Sequence, residues 1–418
     1  MDQPRHPEAS PPEGALTRRR LLALAGGGAL GIALDPHQAA AAQAKVAQVV
    51  PFHGRHQAGI TTAPQSRLVF AAFDLEVSRA DELADLLRVW TAASARMTAG
   101  RLAAPAGDDA TPPADPGEAV GLPPARLTIT VGLGPGVFAR GTRNGLGLAA
   151  RRPSALTPLP PLSGDRLDPA RSGGDLCVQA CADDPQVAFH AVHALASLGA
   201  GAVTLRWLQT GFGGPPGSRT TPRNLQGFKD GTRNIAADDT RGLRRHVWAG
   251  AEESQRWFRG GTYLVCRRIR MRCERWDRSS LAHQEAVIGR RKDDGAPLGG
   301  RGEHDVPDLA ARGADGMPVI PMSAHVRVSA PESNGGIRIL RRGYSFTDGA
   351  DPATGEIDAG LFFICFARDP HRQFVALQRR LANSDAMNDY IEHRSSAIFA
   401  IPPGAAPGGF IAEGLFRA

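Results

Sequence analysis

One local pattern occurs twice in this chain, and it limits the folds available more than anything else in the sequence. Cys177 to Ala182 reads as a strand that leads through Asp184-Pro185 into a helix with apolar positions Val187, Ala191, Leu195 and Leu198. Phe362 to Ala367 leads in the same way through Asp369-Pro370 into a helix with Phe374, Leu377 and Leu381. Aspartate at the N-cap accepts the free N–H groups of a first turn, and proline at the first helical position removes an N–H that has no intrahelical partner. The repeat falls late in each half and predicts two similar α+β domains, residues 45–215 and 216–418, joined near the Gly/Pro-rich stretch Gly211 to Gly217. Strands outnumber helices in two layers, so two ferredoxin-like domains with antiparallel sheets and packed helices are the economical architecture.

Other elements fit that frame. Arg67 to Leu75 predicts a buried strand, and Ser78 then caps a helix with the stripe Leu83, Leu86, Leu87 and Trp90, Asp81 completing a capping box. Strands are expected again at Arg126 to Gly132 and Asp175 to Ala182, while the Pro/Ala/Asp-rich Gly100 to Pro124 reads as a surface loop. Tyr263 to Cys273 alternates with period two: Tyr263, Val265, Ile269 and Met271 share one face, Arg268, Arg270 and Arg272 the other. The plain reading of the arginine face is a solvated sheet surface; the other is a docking patch for an acidic partner or an anionic dye.

The N-terminus carries an address. Thr17-Arg18-Arg19-Arg20-Leu21-Leu22 precedes an apolar run from Ala23 to Leu34, then Ala42-Gln43-Ala44, a small-x-small cleavage site. This predicts a twin-arginine export signal over residues 1–44, and hence a periplasmic or extracellular protein. The run is too short to span a bilayer comfortably, so no stable span is expected in the mature form. The alternative is an arginine cluster that merely happens to precede apolar residues. Twin-arginine export carries proteins already folded, which suits a chain that takes up a cofactor in the cytoplasm.

Composition adds limits. At 418 residues with 42% hydrophobic and 22% charged residues, the chain buries a large core. Its net charge of +7 is mainly arginine, lysine occurring only at positions 45, 229 and 292. Without a binding motif, that charge does not indicate nucleic acid. Five cysteines, without a CxxC pair, read as packing residues.

Three segments carry residues with chemistry. Gly227-Phe228-Lys229-Asp230-Gly231-Thr232-Arg233-Asn234 sets an acid between glycines, which allow a flat ligand close to the backbone. Taken alone, Asp-Gly is an ordinary turn. Ser323 to Val328 reads as a strand or strand end with the single histidine His325, and none of the twelve histidines falls in a zinc pattern such as HExxH. A lone strand histidine is more often structural than a ligand. Ile337 to Ser345 holds Arg341-Arg342 at the end of an apolar strand, where arginines usually face solvent.

In combination these segments resemble the dye-decolourising peroxidases, in particular their twin-arginine-exported, deferrochelatase-like branch. The family's GxxDG acid turn matches Gly227 to Gly231, its haem histidine His325, and its essential arginine Arg341. Supporting stretches are Pro51 to Ile60, Gly174 to Gln179, Ile288 to Lys292 with Gly295-Ala296-Pro297, and Gly360 to Phe363, so the resemblance spans nearly the whole mature chain.

The resemblance implies one haem b per chain, bound in the C-terminal half, with His325 as iron ligand and Asp389 accepting its other ring N–H. It puts Asp230 and Arg341 on the opposite face as the peroxide-handling pair, with Asn234 positioning water or peroxide. Gly231, Thr232, Arg233, Ala330, Pro331 and Phe363 would meet the haem, and Arg290 a propionate. One departure is Ala330-Pro331-Glu332, where close relatives tend to carry Asn-Pro-Arg, which leaves a haem contact from that arginine without a counterpart. Two functions follow: a peroxidase using hydrogen peroxide and a bulky organic reductant such as a dye, or a deferrochelatase yielding iron from haem alongside iron-uptake partner proteins. Self-association is left open.

Overall fold

Arg67–Leu75 (β1) is a nearly unbroken apolar run and is buried on both faces in the computed structural model, which describes residues 49–105, 110–139, 145–215 and 220–417. The export signal expected over residues 1–44 lies outside the described residues. A helix Ala80–Thr98 (α1), strands Thr128–Leu133 (β2) and Leu176–Ala182 (β3), a helix Pro185–Leu198 (α2) and a strand Val203–Phe212 (β4) follow. Their sheet order, β4-β1-β3-β2, is that of a ferredoxin-like βαββαβ unit.

The C-terminal half repeats it. Its elements are Thr262–Met271 (β5), the short helix His325–Ser329 (α3), Leu340–Arg341 (β6), Tyr344–Ala350 (β7), Ile357–Ala367 (β8), Ala376–Ser384 (α4), Ile391–His393 (β9) and Ala397–Ile401 (β10). Strands β10-β5-β8-β7 reproduce the same order. The halves join through Leu133↔Ala400 and Phe212↔Ser345, so eight antiparallel strands close on themselves, with β6 and β9 added outside the ring. Closure removes the free edges that an open sheet would expose.

Period-two alternation then sorts the core. Leu68, Phe70, Cys177, Leu264, Phe362 and Phe399 pack together inside the ring. Val69, Phe73, Val178 and Val265 face outward and pack with Leu83, Leu87 and Trp90 of α1 and Val187, Ala191 and Leu195 of α2. The cysteines are all free, and burial pushes the thiols of Cys177, Cys266 and Cys365 up, as expected of packing groups.

Both Asp-Pro caps form. The Asp184 carboxylate accepts from Gln186 N and Val187 N, and Asp369 accepts from His371 N and Arg372 N, ahead of a π-helical turn His371–Val375 that runs into α4. Three expectations need correction. The N-cap of α1 is Arg79, and the acid reaching back is Glu82, which accepts from the N–H groups of Ser78 and Arg79 while Asp81 pairs with the Arg79 side chain. His325 opens a helix rather than lying in a strand.

The arginines of β5 are the third. Arg268 and Arg270 are buried, because the β7–β8 hairpin folds its acids over them. Arg268 donates to Asp348 at 2.9 Å and Asp358 at 2.7 Å, with its guanidinium 4.2 Å over the Phe346 ring, and Arg270 pairs with Asp351 at 2.7 Å. This face is an internal ion-pair network, neither solvated nor a docking patch.

Candidate active site

The sheet wall of β5, β6, β8 and β9 forms one side of a cavity. The acid turn, the segment after helix Leu281–Ile288, α3 and the α4 region form the rest. Asp230, Gly231, Thr232, Arg233, Arg290, His325, Ala330, Pro331, Arg341 and Phe363 all line it. Segments more than a hundred residues apart in sequence meet here because the sheet closes.

His325 is the first residue of α3, and its side chain stays 41% exposed because it faces the cavity. Its Nδ1 donates to Asp385 Oδ2 at 2.5 Å, and a carboxylate partner fixes the tautomer with the proton on Nδ1. In the neutral ring Nε2 therefore carries the lone pair. Asp385 has only 3% of its side chain exposed, and its Oδ1 accepts from Met387 N at 2.9 Å, so the acid cannot swing away. Burial pulls the imidazole pKa down, but the charge and hydrogen bond of Asp385 outweigh it and the net shift is upward. This corrects the sequence reading: the acid behind His325 is Asp385, whereas Asp389, four residues on, is exposed and does not line the cavity. Asp385 caps and Asp389 ends a 3-10 turn, Ala386–Asp389, that follows α4, and only the fold decides which of them turns inward.

The opposite side is built on the acid turn. Gly227 and Gly231 have φ of 85° and 126°, conformations that a side chain would strain, and Arg233 itself is held at φ 61°. The turn is tied down by Asp230 N donating to Pro222 O at 2.8 Å. Arg341 Nη1 donates to Asp230 Oδ1 at 3.0 Å and its Nη2 to Thr232 O at 3.2 Å. Both side chains keep about a third of their surface, 33% for Arg341 and 29% for Asp230, so they are paired yet accessible. His325, Asp230 and Arg341 line the same cavity, and the charges of Arg341 and Asp230 are felt at the His325 ring.

Asn234 is tied to Arg341: its Nδ2 donates to Arg341 O and its Oδ1 accepts from Arg341 N, which positions the arginine and leaves the amide one further N–H and one further lone pair. Glu303 was not visible in the sequence. It accepts from Lys229 Nζ, Thr221 Oγ1 and Thr232 Oγ1; burial opposes its charge, but these bonds, Lys229 first, hold its pKa at about 2. The acid turn is thereby anchored from below.

Arg290 is buried and its Nη1 donates to the carbonyls of Gly295 at 2.7 Å and Glu303 at 2.8 Å. Burial, then the nearby Arg233 charge, lower its pKa, with Arg341 adding to the effect. Arginines gathered on one side of a cavity with few acids facing them make an anion-accepting edge. At its rim Arg233 Nη2 donates to Glu332 Oε1 at 2.7 Å, so the departure at position 332 neutralises one of these cations.

Comparison with known proteins places the chain in a family. The profile described as Dyp-type peroxidase, N-terminal, matches residues 57–213, and that described as Dyp-type peroxidase, C-terminal, matches residues 221–406. A dye-decolorizing peroxidase of Thermobifida fusca is 40% identical over 345 residues, covering 81% of this chain and 76% of that one. A deferrochelatase of Escherichia coli is 36% identical over 363 residues, 85% of this chain and 84% of its own. Among solved structures, an oxyferrous complex of DtpA from Streptomyces lividans superposes with a TM-score of 0.82 at 41% identity, covering 90% of this chain and 99% of that one. A DyP-type peroxidase from Cellulomonas bogoriensis gives a TM-score of 0.81 at 40% identity over 90% of this chain and 99% of its own. With both profiles matched in order across two ferredoxin-like halves, the chain belongs to the Dyp-type peroxidase family.

Proposed function

We propose that this peroxidase holds one haem b through His325, reduces hydrogen peroxide at Asp230 and Arg341, and oxidises bulky organic reductants such as dyes. The observation that carries this reading is the His325 imidazole, braced by the buried Asp385 and sharing one cavity with the Asp230–Arg341 pair. Among the described residues no group of three or more His, Cys, Asp or Glu is arranged to hold a metal ion. One protein ligand is what a metal needs when a macrocycle supplies the others. The cavity fits such a group: Phe363, Leu361 and Ile269 offer an apolar wall, and Arg290 offers a cation for a carboxylate at its edge, beside Arg233, which is shared with Glu332.

Bound haem supplies the two-electron chemistry at the peroxide. The chain supplies the rest. His325 Nε2 would hold the iron, while Asp385 keeps the proton on Nδ1 and raises the ligand's basicity. Asp230 Oδ1 is engaged by Arg341, which leaves Oδ2 to take a proton from the near peroxide oxygen and return it to the far one. The Arg341 guanidinium, held by Asp230, Thr232 and Asn234, offsets the charge that develops as the O–O bond breaks. Gly231, Thr232, Ala330 and Pro331 line the cavity and would meet the ring.

Residues 1–44 act as a twin-arginine leader in this reading, with 45–215 and 216–418 as the two halves, and the mature protein works outside the cytoplasm. Among the described residues no helix is long and apolar enough to cross a membrane. Replacing Arg18 and Arg19 by lysine should strand the folded protein in the cytoplasm; equal export would mean another route. A deferrochelatase role, alongside iron-uptake partners, is the second reading, favoured by the 36% identity to proteins of that name. Incubation of the haem-loaded protein with peroxide and dye, and separately with a reductant and an iron chelator, separates the two. Dye turnover without recovery of iron and intact porphyrin supports the peroxidase; the reverse supports iron release.

A further inference from the structure

Arg267 is the most deeply buried charge facing the cavity. It lies on β5 with 1% of its side chain exposed, and it lines the cavity together with His393 of β9 and Gln378 of α4. Its Nη2 donates to Asp165, and its Nε and Nη1 meet no partner. His393 is 6% exposed; its Nε2 lies 3.1 Å from Gln378 Nε2, an amide that can only donate, so the imidazole proton sits on Nδ1. Nδ1 also has no partner. Burial, and next the Arg267 charge, hold the ring neutral, with its pKa lowered to about 3.

Arg267 and His393, diagonal neighbours across the β5–β9 pairing, therefore leave three buried N–H-bearing atoms, two of them on a charged group, without an acceptor. Buried donors are normally satisfied, and a guanidinium edge matches a carboxylate in shape and charge. The place is separate from the peroxide-handling pair. Arg341 on β6 and Arg267 on β5 are two strands apart on one wall, with β8 between them, about 10 Å by strand spacing.

We propose that Arg267 and His393 form a carboxylate-binding site in the cavity wall, filled by a propionate of the bound porphyrin or by a free small carboxylate. The first source rests on the reading of the cavity as a haem pocket; the second does not. On the first, Arg267 carries one propionate while Arg290 serves the other. Asp165 makes the guanidinium affordable before any ligand arrives, and the ligand completes its hydrogen bonds.

The full-length apoprotein is titrated with iron-free protoporphyrin IX and with its dimethyl ester, and its melting temperature is followed in sodium acetate against sodium chloride. The same series is run on Arg267→Lys and on the double variant Arg267→Met, Asp165→Asn, which leaves no buried carboxylate unpaired; circular dichroism reports their folding. If a propionate fills the site, the double variant loses affinity for the free acid by on the order of tenfold to a hundredfold and binds the ester as the parent does. If a free carboxylate fills it, acetate raises the melting temperature of the parent only. Should the variants fail to fold, the parent still decides: equal affinity for acid and ester, with no effect of acetate, overturns the proposal. Equal loss of acid and ester in a folded variant overturns it too. Failure of the parent to bind either porphyrin instead refutes the haem reading, and the acetate series then decides the carboxylate site alone.

Discussion

Asn234 grips the backbone of Arg341 from both sides, Nδ2 donating to its carbonyl at 2.7 Å and Oδ1 accepting from its N–H at 3.0 Å. Strand β6 is only two residues long, so this clamp is a large part of what fixes the guanidinium's origin. Asn234→Ala should slow the reaction with peroxide about tenfold to a hundredfold, the usual cost of an ångström-scale misplacement, while haem content stays unchanged. Stopped-flow mixing with peroxide checks it, and an unaltered rate would remove Asn234 from the account.

Asp385 and Asp389 make opposite predictions. Losing the partner of a ligand imidazole commonly costs tenfold to a hundredfold in metal-group affinity, so Asp385→Ala should release haem to an apomyoglobin scavenger faster by about that factor. Asp389→Ala, at an exposed position away from the cavity, should release haem like the parent. The reverse ranking would restore the acid expected from sequence.

Asp230 and Arg341 should divide peroxide activation unequally. A guanidinium offsets charge at every working pH, whereas a carboxylate helps only by taking up and returning a proton. Arg341→Leu should slow peroxide cleavage at all pH values by on the order of 10²–10³. Asp230→Asn should cost less and mainly reshape the pH profile, since ordered water can carry the proton. Rates across pH decide it: a slower Asp230→Asn throughout would reverse the roles.

Acid stability should depend on His393. Burial, then Arg267, lower its pKa from 6.5 to about 3 in the folded protein. The unfolded chain takes up this proton near the ordinary value and the folded chain only near 3, so the unfolded state binds more protons in between. Stability from this group is thus complete above pH 6.5 and declines as pH falls toward 3. His393→Gln should reduce the pH slope of apoprotein unfolding in this window by about one proton, as read from urea melts at several pH values; an unchanged slope would contradict it.

Much of this was legible because it rests on short-range chemistry. The Asp184-Pro185 and Asp369-Pro370 caps state where two helices begin, and their equivalent positions disclose the repeated half. His325, Asp230 and Arg341 were found as isolated features that gained meaning only in combination. What escaped depends on long-range packing. The choice of Asp385 over Asp389, the burial of Arg268 under the β7–β8 hairpin, and the support of the acid turn by Glu303, 73 residues beyond Asp230 in the chain, are set by which loop folds over which strand. Period two identified the arginine face of β5 correctly but could not say what covers it.

The central claim is that His325 holds a haem in this cavity, and one absorption spectrum tests it. Protein expressed with adequate haem supply and purified should show a Soret band, and His325→Ala should largely lose it. A His325→Ala protein that retains its haem with the iron spin state unchanged would contradict the assignment.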